Sequence, residues 1–119
     1  MMRAHRASLV VALLLASVGS ADCYIFAGNK LREWVDADNR ISANRVREGD
    51  WQGAASLQGY VTGVIDTLDG VLICPTEGVK VGELVDIVSR YVADHPEEWN
   101  RSAALIVRSA LEPVFPCKK

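Results

Sequence analysis

Few side chains in this sequence are suited to catalysis, and their spacing assembles no catalytic site. His95 is the only histidine that follows His5. A cysteine or serine nucleophile needs a base and a group that orients the base, so any such site would have to use His95. The sequence also lacks a nucleophile-elbow motif. We therefore predict that this protein is not an enzyme.

Two groups of acidic residues lie close together in the sequence. His95, Glu97 and Glu98 offer too few ligands, at an unsuitable spacing, for a metal site. Asp66 and Asp69 belong to one predicted helix, and we interpret them as a hydrogen-bonding residue and a solvated residue, not as an acid–base pair. We accordingly expect neither a metal ion nor another cofactor.

The three cysteines are Cys23, Cys74 and Cys117. Their odd number permits at most one intramolecular bridge. We predict that Cys74 and Cys117 form it, which would tie the loop after the central helix to the end of the chain. Closing so long a loop contributes about 4 kcal/mol in the chain-entropy model. Cys23 lies near the predicted mature terminus, where it either stays free or links two chains.

Residues 1–21 have the features of a secretory signal peptide. A positively charged start precedes an apolar run and a group of small residues suited to cleavage, which are Arg3 and Arg6, Ala7–Val18 and Gly19–Ala21. The apolar run is short for a membrane span. Asp22 precedes Cys23, where a lipoprotein signal requires a small residue, so we expect cleavage after Ala21 without lipidation.

The predicted mature chain, residues 22–119, has the length of a single domain. The whole chain carries a formal net charge of −2, and the loss of Arg3 and Arg6 makes the mature domain more acidic. Nucleic-acid binding requires a basic stripe, and anionic lipid also attracts basic surfaces. We therefore expect neither nucleic acid nor a membrane as a partner after signal cleavage.

The central helix is predicted over Trp51–Gly70, where apolar residues recur at helical spacing. Its apolar face consists of Leu57, Tyr60, Val61, Val64, Ile65 and Leu68. The opposite face is small and consists of Ala55, Gly59, Gly63 and Asp66. We expect this small face to pack within the chain, with a dimer contact as the alternative. A packed Asp66 would need hydrogen-bond donors, either from a neighbouring element or from a partner.

A first helix is predicted before the central one. It begins at Gly28 or Asn29, with Asn29 as N-cap, and fades within Asp36–Asn44. Residues 40–50 alternate in charge and form either a solvated loop or an early turn of the central helix. Asp50 is the expected N-cap of that helix.

Two more helices are predicted after the central one. They cover Val81–Ala93 and residues 100–111, and the break Asp94–Asn100 separates them. Trp51 and Trp99 lie at helix starts, where each can cover a small core or contact a partner. The sequence therefore predicts an all-α domain of four or five helices, joined by one disulfide, after a signal peptide.

The run Gly59–Asp66, GYVTGVID, resembles the core motif of the Rap/Tai family, the immunity proteins of bacterial type VI secretion systems. Further matching positions follow in the family's order, namely Cys74, Gly78-Val79, Tyr91, His95-Pro96-Glu97, Ala103-Ala104, Ala110-Leu111 and Phe115-Pro116-Cys117. The resemblance covers roughly Phe26–Cys117. The ordered set of motifs, and not any one of them, carries the resemblance.

This resemblance implies an all-helical, periplasmic and usually dimeric protein with an internal disulfide. Family members bind a peptidoglycan-cleaving amidase toxin and block it with a loop that occludes its active-site cleft. By position, the candidate partner-binding loop consists of Asp94, His95, Glu97, Glu98 and Trp99. The structural motif of the resemblance consists of Gly59, Tyr60, Gly63 and Asp66.

Two alternatives to an immunity function stay open at this point. Small acid-stress chaperones are also short, exported and helical, with a single disulfide. Protonation of the 15 carboxylates would supply a low-pH switch for such a chaperone. The other alternative is an uncharacterised protein-binding helical domain.

Overall fold

Four α-helices form the regular structure of residues 23–118, which are the residues described by the computed structural model. They are α1 (Gly28–Ser42), α2 (Asp50–Leu68), α3 (Val81–Asp94) and α4 (Ala103–Leu111), with a short 3-10 helix (Pro96–Glu98) between α3 and α4. No strand occurs among these residues, so the all-α prediction is confirmed. The predicted signal peptide, residues 1–21, lies outside the described residues.

The core is built on one face of α2, against which the other three helices pack. Leu57, Val61 and Ile65 of this face are buried, as the apolar spacing predicts. Buried side chains from the other segments surround them, including Leu31 and Val35, Ile73, Val88 and Val92, and Ile106, Val107 and Leu111. Because each such side chain contributes about 1.5–3 kcal/mol when it is buried, α2 supports a large share of the folding free energy.

Helix α1 continues to Ser42, so it ends within the predicted range Asp36–Asn44 but close to the far end of that range. Contacts with α2 hold this polar stretch in the helix. Ala37 is buried, and a Cβ atom added to Gly53 would lie 2.8 Å from the Cβ of Ala37. The two helices approach this closely because residue 53 is glycine. Tertiary packing thus overrides the weak helical propensity of the sequence.

Packing also sets the start of α1. Its N-cap is Ala27, which makes no side-chain cap hydrogen bond, and not Asn29 as predicted. A Cβ atom on Gly28 would lie 2.7 Å from the Cα of Trp99, and the Gly28 amide donates to the carbonyl of Arg101 at 2.9 Å. The segment before α4 therefore holds the first turn of α1.

The connection between α1 and α2 ends in the one charged residue that is buried in the described part of the chain. Asp50 is the first residue of α2 and Gly49 is its N-cap, so the predicted capping role of Asp50 is wrong. Arg40 donates to the Asp50 carboxylate from Nε at 3.0 Å and from Nη2 at 2.7 Å, and the Arg47 amide donates at 2.8 Å. Residues 43–49 are therefore a solvated loop, one of the two predicted alternatives, and the ion pair between Arg40 and Asp50 joins the helix ends on either side of it.

The predicted disulfide between Cys74 and Cys117 is present, with an S–S distance of 2.05 Å. The Cys74 amide also donates to the carbonyl of Phe115 at 2.8 Å. Ile73, directly before the bridge, is fully buried, so the bridge ties the chain end to the core. Cys23 is exposed and outside this bridge.

We expect the double variant Cys74→Ser/Cys117→Ser to lose about 4 kcal/mol of unfolding free energy, because the bridge spans a sequence separation of 43 residues. Urea titration of the mature chain, followed by circular dichroism, measures this loss. The exposed Cys23→Ser variant is the matched control and should unfold like the wild type. A double variant as stable as that control would contradict the prediction.

We expect the stability contributed by Asp50 to depend on pH. The hydrogen bonds from Arg40 lower its pKa from 3.8 to about 2, more than burial raises it. A lowered folded-state pKa stabilises the protein above the unfolded-state pKa, and this contribution disappears as pH falls through the folded-state value. Asp50→Asn should therefore melt below the wild type at neutral pH, and the difference should close between about pH 4 and pH 2.

Thermal melts from neutral pH to pH 2 test this dependence. Asp66→Asn, at an exposed carboxylate of the same helix, should match the wild type throughout. A difference for Asp50→Asn that stays constant down to the lowest pH would contradict the assignment.

Candidate partner-binding site

The candidate loop, residues 94–99, is attached to the body of the protein through Trp99. The indole Nε1 of Trp99 donates to the carbonyl of Val92 at 2.9 Å, and the Trp99 carbonyl accepts from the Asn29 amide at 2.7 Å. The guanidinium of Arg32 lies over the indole ring, 4.1 Å from its centroid. Such a cation–π contact adds about 0.5–1 kcal/mol at an exposed position. Trp99 therefore joins α1 to α3 instead of projecting from the loop.

Glu98 also points back into the protein. The hydroxyl of Tyr91 donates to one of its carboxylate oxygens, and Arg101 donates to the other. The hydrogen bond from Tyr91, followed by the charge of Arg101, lowers the pKa of Glu98. Burial, followed by the same hydrogen bond, raises the pKa of Tyr91. Glu98 is accordingly an ionised acceptor that holds the 3-10 turn against α3.

His95 completes this internal network. Its Nδ1 lies 2.8 Å from the carbonyl of Tyr91, and its ring stacks on the Tyr91 ring at a centroid distance of 3.9 Å. Candidate ligand atoms of His95, Glu97 and Glu98 lie within 4.8 Å of one another, closer than the sequence spacing suggests, because the 3-10 turn brings them together. However, both oxygens of Glu98 already accept hydrogen bonds, and the positive charge of Arg101 opposes a cation there. The arrangement is better suited to holding the loop than to binding a metal.

Two acidic side chains of the loop remain available to a partner. Asp94 and Glu97 are exposed, as is Pro96 at the start of the 3-10 helix. Of the five candidate residues, the structure therefore uses His95, Glu98 and Trp99 to hold the loop and leaves Asp94 and Glu97 on its surface. The loop presents an acidic tip on a backbone that is fixed from within.

The small face of α2 does not pack within the chain, contrary to our first expectation. Gly59, Gly63 and Asp66 are exposed, and a Cβ atom added to either glycine would meet no other atom within 4 Å. The reason is that the other three helices all pack on the apolar face of α2. Asp66 faces solvent and needs no internal donor.

Tyr60, the fourth residue of the motif, is half-buried and lies within an aromatic cluster. Its ring centroid is 5.9 Å from that of Phe26 and 5.7 Å from that of Trp34. Burial raises the pKa of the Tyr60 hydroxyl. Tyr60 therefore links α2 to α1 and to the segment that precedes α1.

An open apolar groove of about 460 Å³ lies beside the exposed glycines, between α2 and α4. Its lining is mainly apolar and consists of Gly59, Tyr60, Gly63, Val64, Thr67, Leu68, Leu72, Ala104, Leu105 and Arg108. The single charge, on Arg108, is neutralised by Glu112 at 2.8 Å. Leu105 at the edge of the groove is 44% exposed. Covering the groove would therefore remove mainly apolar surface from water, which is energetically favourable.

The sequence did not indicate two features that bear on binding. The ion pair between Arg40 and Asp50 joins residues ten positions apart in different helices, a spacing that no helical rule detects. Trp51 was predicted either to cover the core or to contact a partner, and its side chain is 67% exposed.

In the described part of the chain, no helix has both the length and the apolar character needed to cross a bilayer.

A comparison with protein-family models places the described domain in a family. The family model described as Rap1a immunity proteins matches residues 27–117 of the chain. The matched range begins at the N-cap of α1, ends at the second disulfide cysteine, and contains the candidate loop and the groove. No curated protein matches the chain.

Proposed function

The chain belongs to the Rap1a immunity protein family, and we propose on that premise that it binds a peptidoglycan amidase toxin in the periplasm and occludes its active site. The family match over residues 27–117 is the observation that carries this proposal. Proteins of this family act by binding a toxin and are generally not enzymes. The choice of a type VI amidase toxin and of the periplasm rests on the resemblance and on the predicted signal peptide.

The candidate loop supports inhibition by contact. Its backbone is held by Trp99 and Glu98 before any partner arrives, so binding would cost little conformational entropy. Its free carboxylates, Asp94 and Glu97, are placed to meet basic or hydrogen-bond-donating groups at the rim of a catalytic cleft. A loop that enters such a cleft blocks access to substrate without any chemistry of its own.

We also propose that the protein is a homodimer, as the resemblance implies. The groove between α2 and α4 supports this, because an exposed apolar surface of this kind marks a contact site. In a two-fold dimer the same patch occurs on both partners, so a ridge beside a groove is self-complementary. Leu105 supplies such a ridge, and Gly63 forms part of the groove.

Inhibition is tested with the purified mature chain and a peptidoglycan amidase, sought first among the products of the neighbouring genes. We expect inhibition of peptidoglycan cleavage at a one-to-one ratio of chains. The double variant Asp94→Ala/Glu97→Ala should bind at least tenfold more weakly, which corresponds to about 1.4 kcal/mol. Asp66→Ala/Glu83→Ala removes two exposed carboxylates elsewhere and should leave affinity unchanged.

If the wild-type chain does not inhibit the amidase, the proposed function is wrong. If the wild type inhibits and both double variants match it, the role of the loop is wrong although the function stands. The acid-stress chaperone alternative makes a separate prediction, namely suppression of protein aggregation at about pH 2 to 3.

Dimerisation is tested by sedimentation equilibrium. Gly63→Lys places a charge in the groove without a steric conflict in the monomer, since a Cβ atom there meets nothing within 4 Å. We expect this variant to be monomeric at concentrations where the wild type is dimeric. Gly82→Lys on α3 is the matched control, because that glycine is equally open. A monomeric wild type, or a dimeric Gly63→Lys variant, would contradict the proposed interface.

A further inference from the structure

A recess of about 330 Å³ lies where the last turns of α1 meet the first halves of α2 and α3. Its lining includes polar or aromatic side chains from all three helices, namely Asp38, Trp51, Gln58 and Asp86. A Cβ atom added to Gly82, which also lines it, would meet no atom within 4 Å, so the recess is open on the side of α3. We call this site the Trp51 recess.

The two carboxylates of the Trp51 recess have no positively charged partner among the described residues. Neither Asp38 nor Asp86 forms an ion pair there, and no basic residue lines the recess. The arginine of α3, Arg90, donates to the backbone carbonyl of Asp86 instead of to its carboxylate. Burial, followed by the charge of Asp86, raises the pKa of Asp38. The fold therefore holds two like charges close together without a counter-charge, although ionisation of Asp38 costs stability.

Trp51 is the second distinctive feature of the recess. The other two tryptophans are held within the protein, because Trp34 contacts the ring of Phe26 and Trp99 donates to the carbonyl of Val92. Trp51 instead lines the recess and is 67% exposed. The face of an indole ring attracts a cation, and in proteins that cation is most often a guanidinium. An exposed indole and two uncompensated carboxylates in one recess therefore favour a positively charged side chain from outside the chain.

We propose that the Trp51 recess receives an arginine side chain of the toxin, whose guanidinium stacks on Trp51 and donates to the carboxylates of Asp38 and Asp86. This inference rests on the proposed function, because it takes the toxin as the partner. A guanidinium suits the recess better than an ammonium, since it is planar and its five donors can bridge carboxylates from two different helices. Its aliphatic stem would pack on Ile41, which also lines the recess.

The position of the recess agrees with a basic partner surface. The candidate loop begins at Asp94, the last residue of α3, and its free side chains, Asp94 and Glu97, are acidic as well. Asp86 and Asp94 are eight positions apart in α3, which corresponds to about 12 Å along the helix axis. A standard interface buries about 800 Å² on each partner, so one protein can contact both sites. Both sites therefore favour the same basic region of the toxin.

The recess is tested first with a probe that does not require the toxin. The isotope-labelled mature chain is titrated with N-acetyl-arginine amide, and the tryptophan indole N–H resonances are followed by NMR. The resonance of Trp51, identified by its loss in Trp51→Phe, should shift saturably. N-acetyl-citrulline amide, a neutral isostere, should not shift it at equal ionic strength. Asp38→Asn/Asp86→Asn should abolish the shift, whereas Glu77→Gln/Glu83→Gln, which neutralises two exposed carboxylates outside the recess, should retain it.

The same variants are then measured with the amidase. Asp38→Asn/Asp86→Asn and Trp51→Ala should each weaken affinity about tenfold or more, and the control pair should bind like the wild type. Trp51→Leu keeps an apolar side chain without an aromatic face, so it should bind as weakly as Trp51→Ala, while Trp51→Phe should recover part of the affinity. Asp38→Asn should not lower the melting temperature at neutral pH, because it removes a charge that the fold disfavours. A loss of affinity in that variant is then not a loss of folding.

The outcomes separate the two proposals. If the wild type inhibits the amidase and the recess variants bind as it does, the role of the recess is wrong and the proposed function stands. If the wild type does not bind the amidase, the proposed function is wrong, and the assignment of the arginine to the toxin is wrong with it. A response of Trp51 that does not distinguish arginine from citrulline, or full affinity in Trp51→Leu, would overturn recognition of a cation. A selective response together with weakened binding by the recess variants supports the proposal.

Discussion

Burial of one face of α2 is the interaction on which the rest of the structure depends. Leu57, Val61 and Ile65 are enclosed by the other three helices and by the segment that leads to the disulfide. Since all neighbours of α2 use this face, its opposite face has no partner within the described residues. The same helix therefore supports the core and leaves Gly59 and Gly63 at the surface, next to an apolar groove.

The surfaces available for binding follow from how each connection is anchored. The loop 94–99 directs Glu98 and Trp99 inward, to Tyr91, Arg101 and Val92, and its free side chains are acidic. The loop between α1 and α2, residues 43–49, is instead held through its backbone and through Asp50, so its arginines remain outside. Both connections are rigid for physical reasons that differ, and rigidity reduces the entropic cost of contact with a partner. Such surfaces suit an immunity protein, because the family implies that it binds a toxin partner.

Much of this architecture was predictable because it depends on local periodicity. The apolar stripes of α2, α3 and α4 recur at helical spacing, and their predicted inner residues Leu57, Leu84 and Val107 are buried. The pairing of Cys74 with Cys117 also followed from the positions of three cysteines. The break between α3 and α4 lies where the sequence predicted it. The direction of the side chains there depends on partners such as Tyr91 and Arg101, which sequence spacing does not reveal.

By itself, the sequence determined the helical class, the helix that carries the core, the disulfide and the family resemblance, because each depends on spacing or on ordered motifs along the chain. Only the tertiary structure decided where α1 ends, since Gly53 must meet Ala37 for the polar stretch to stay helical. It also decided that Asp50 is buried by an ion pair with Arg40 and that the small face of α2 is open. These outcomes depend on which surfaces meet in three dimensions, and helical periodicity specifies the faces of a helix but not their neighbours.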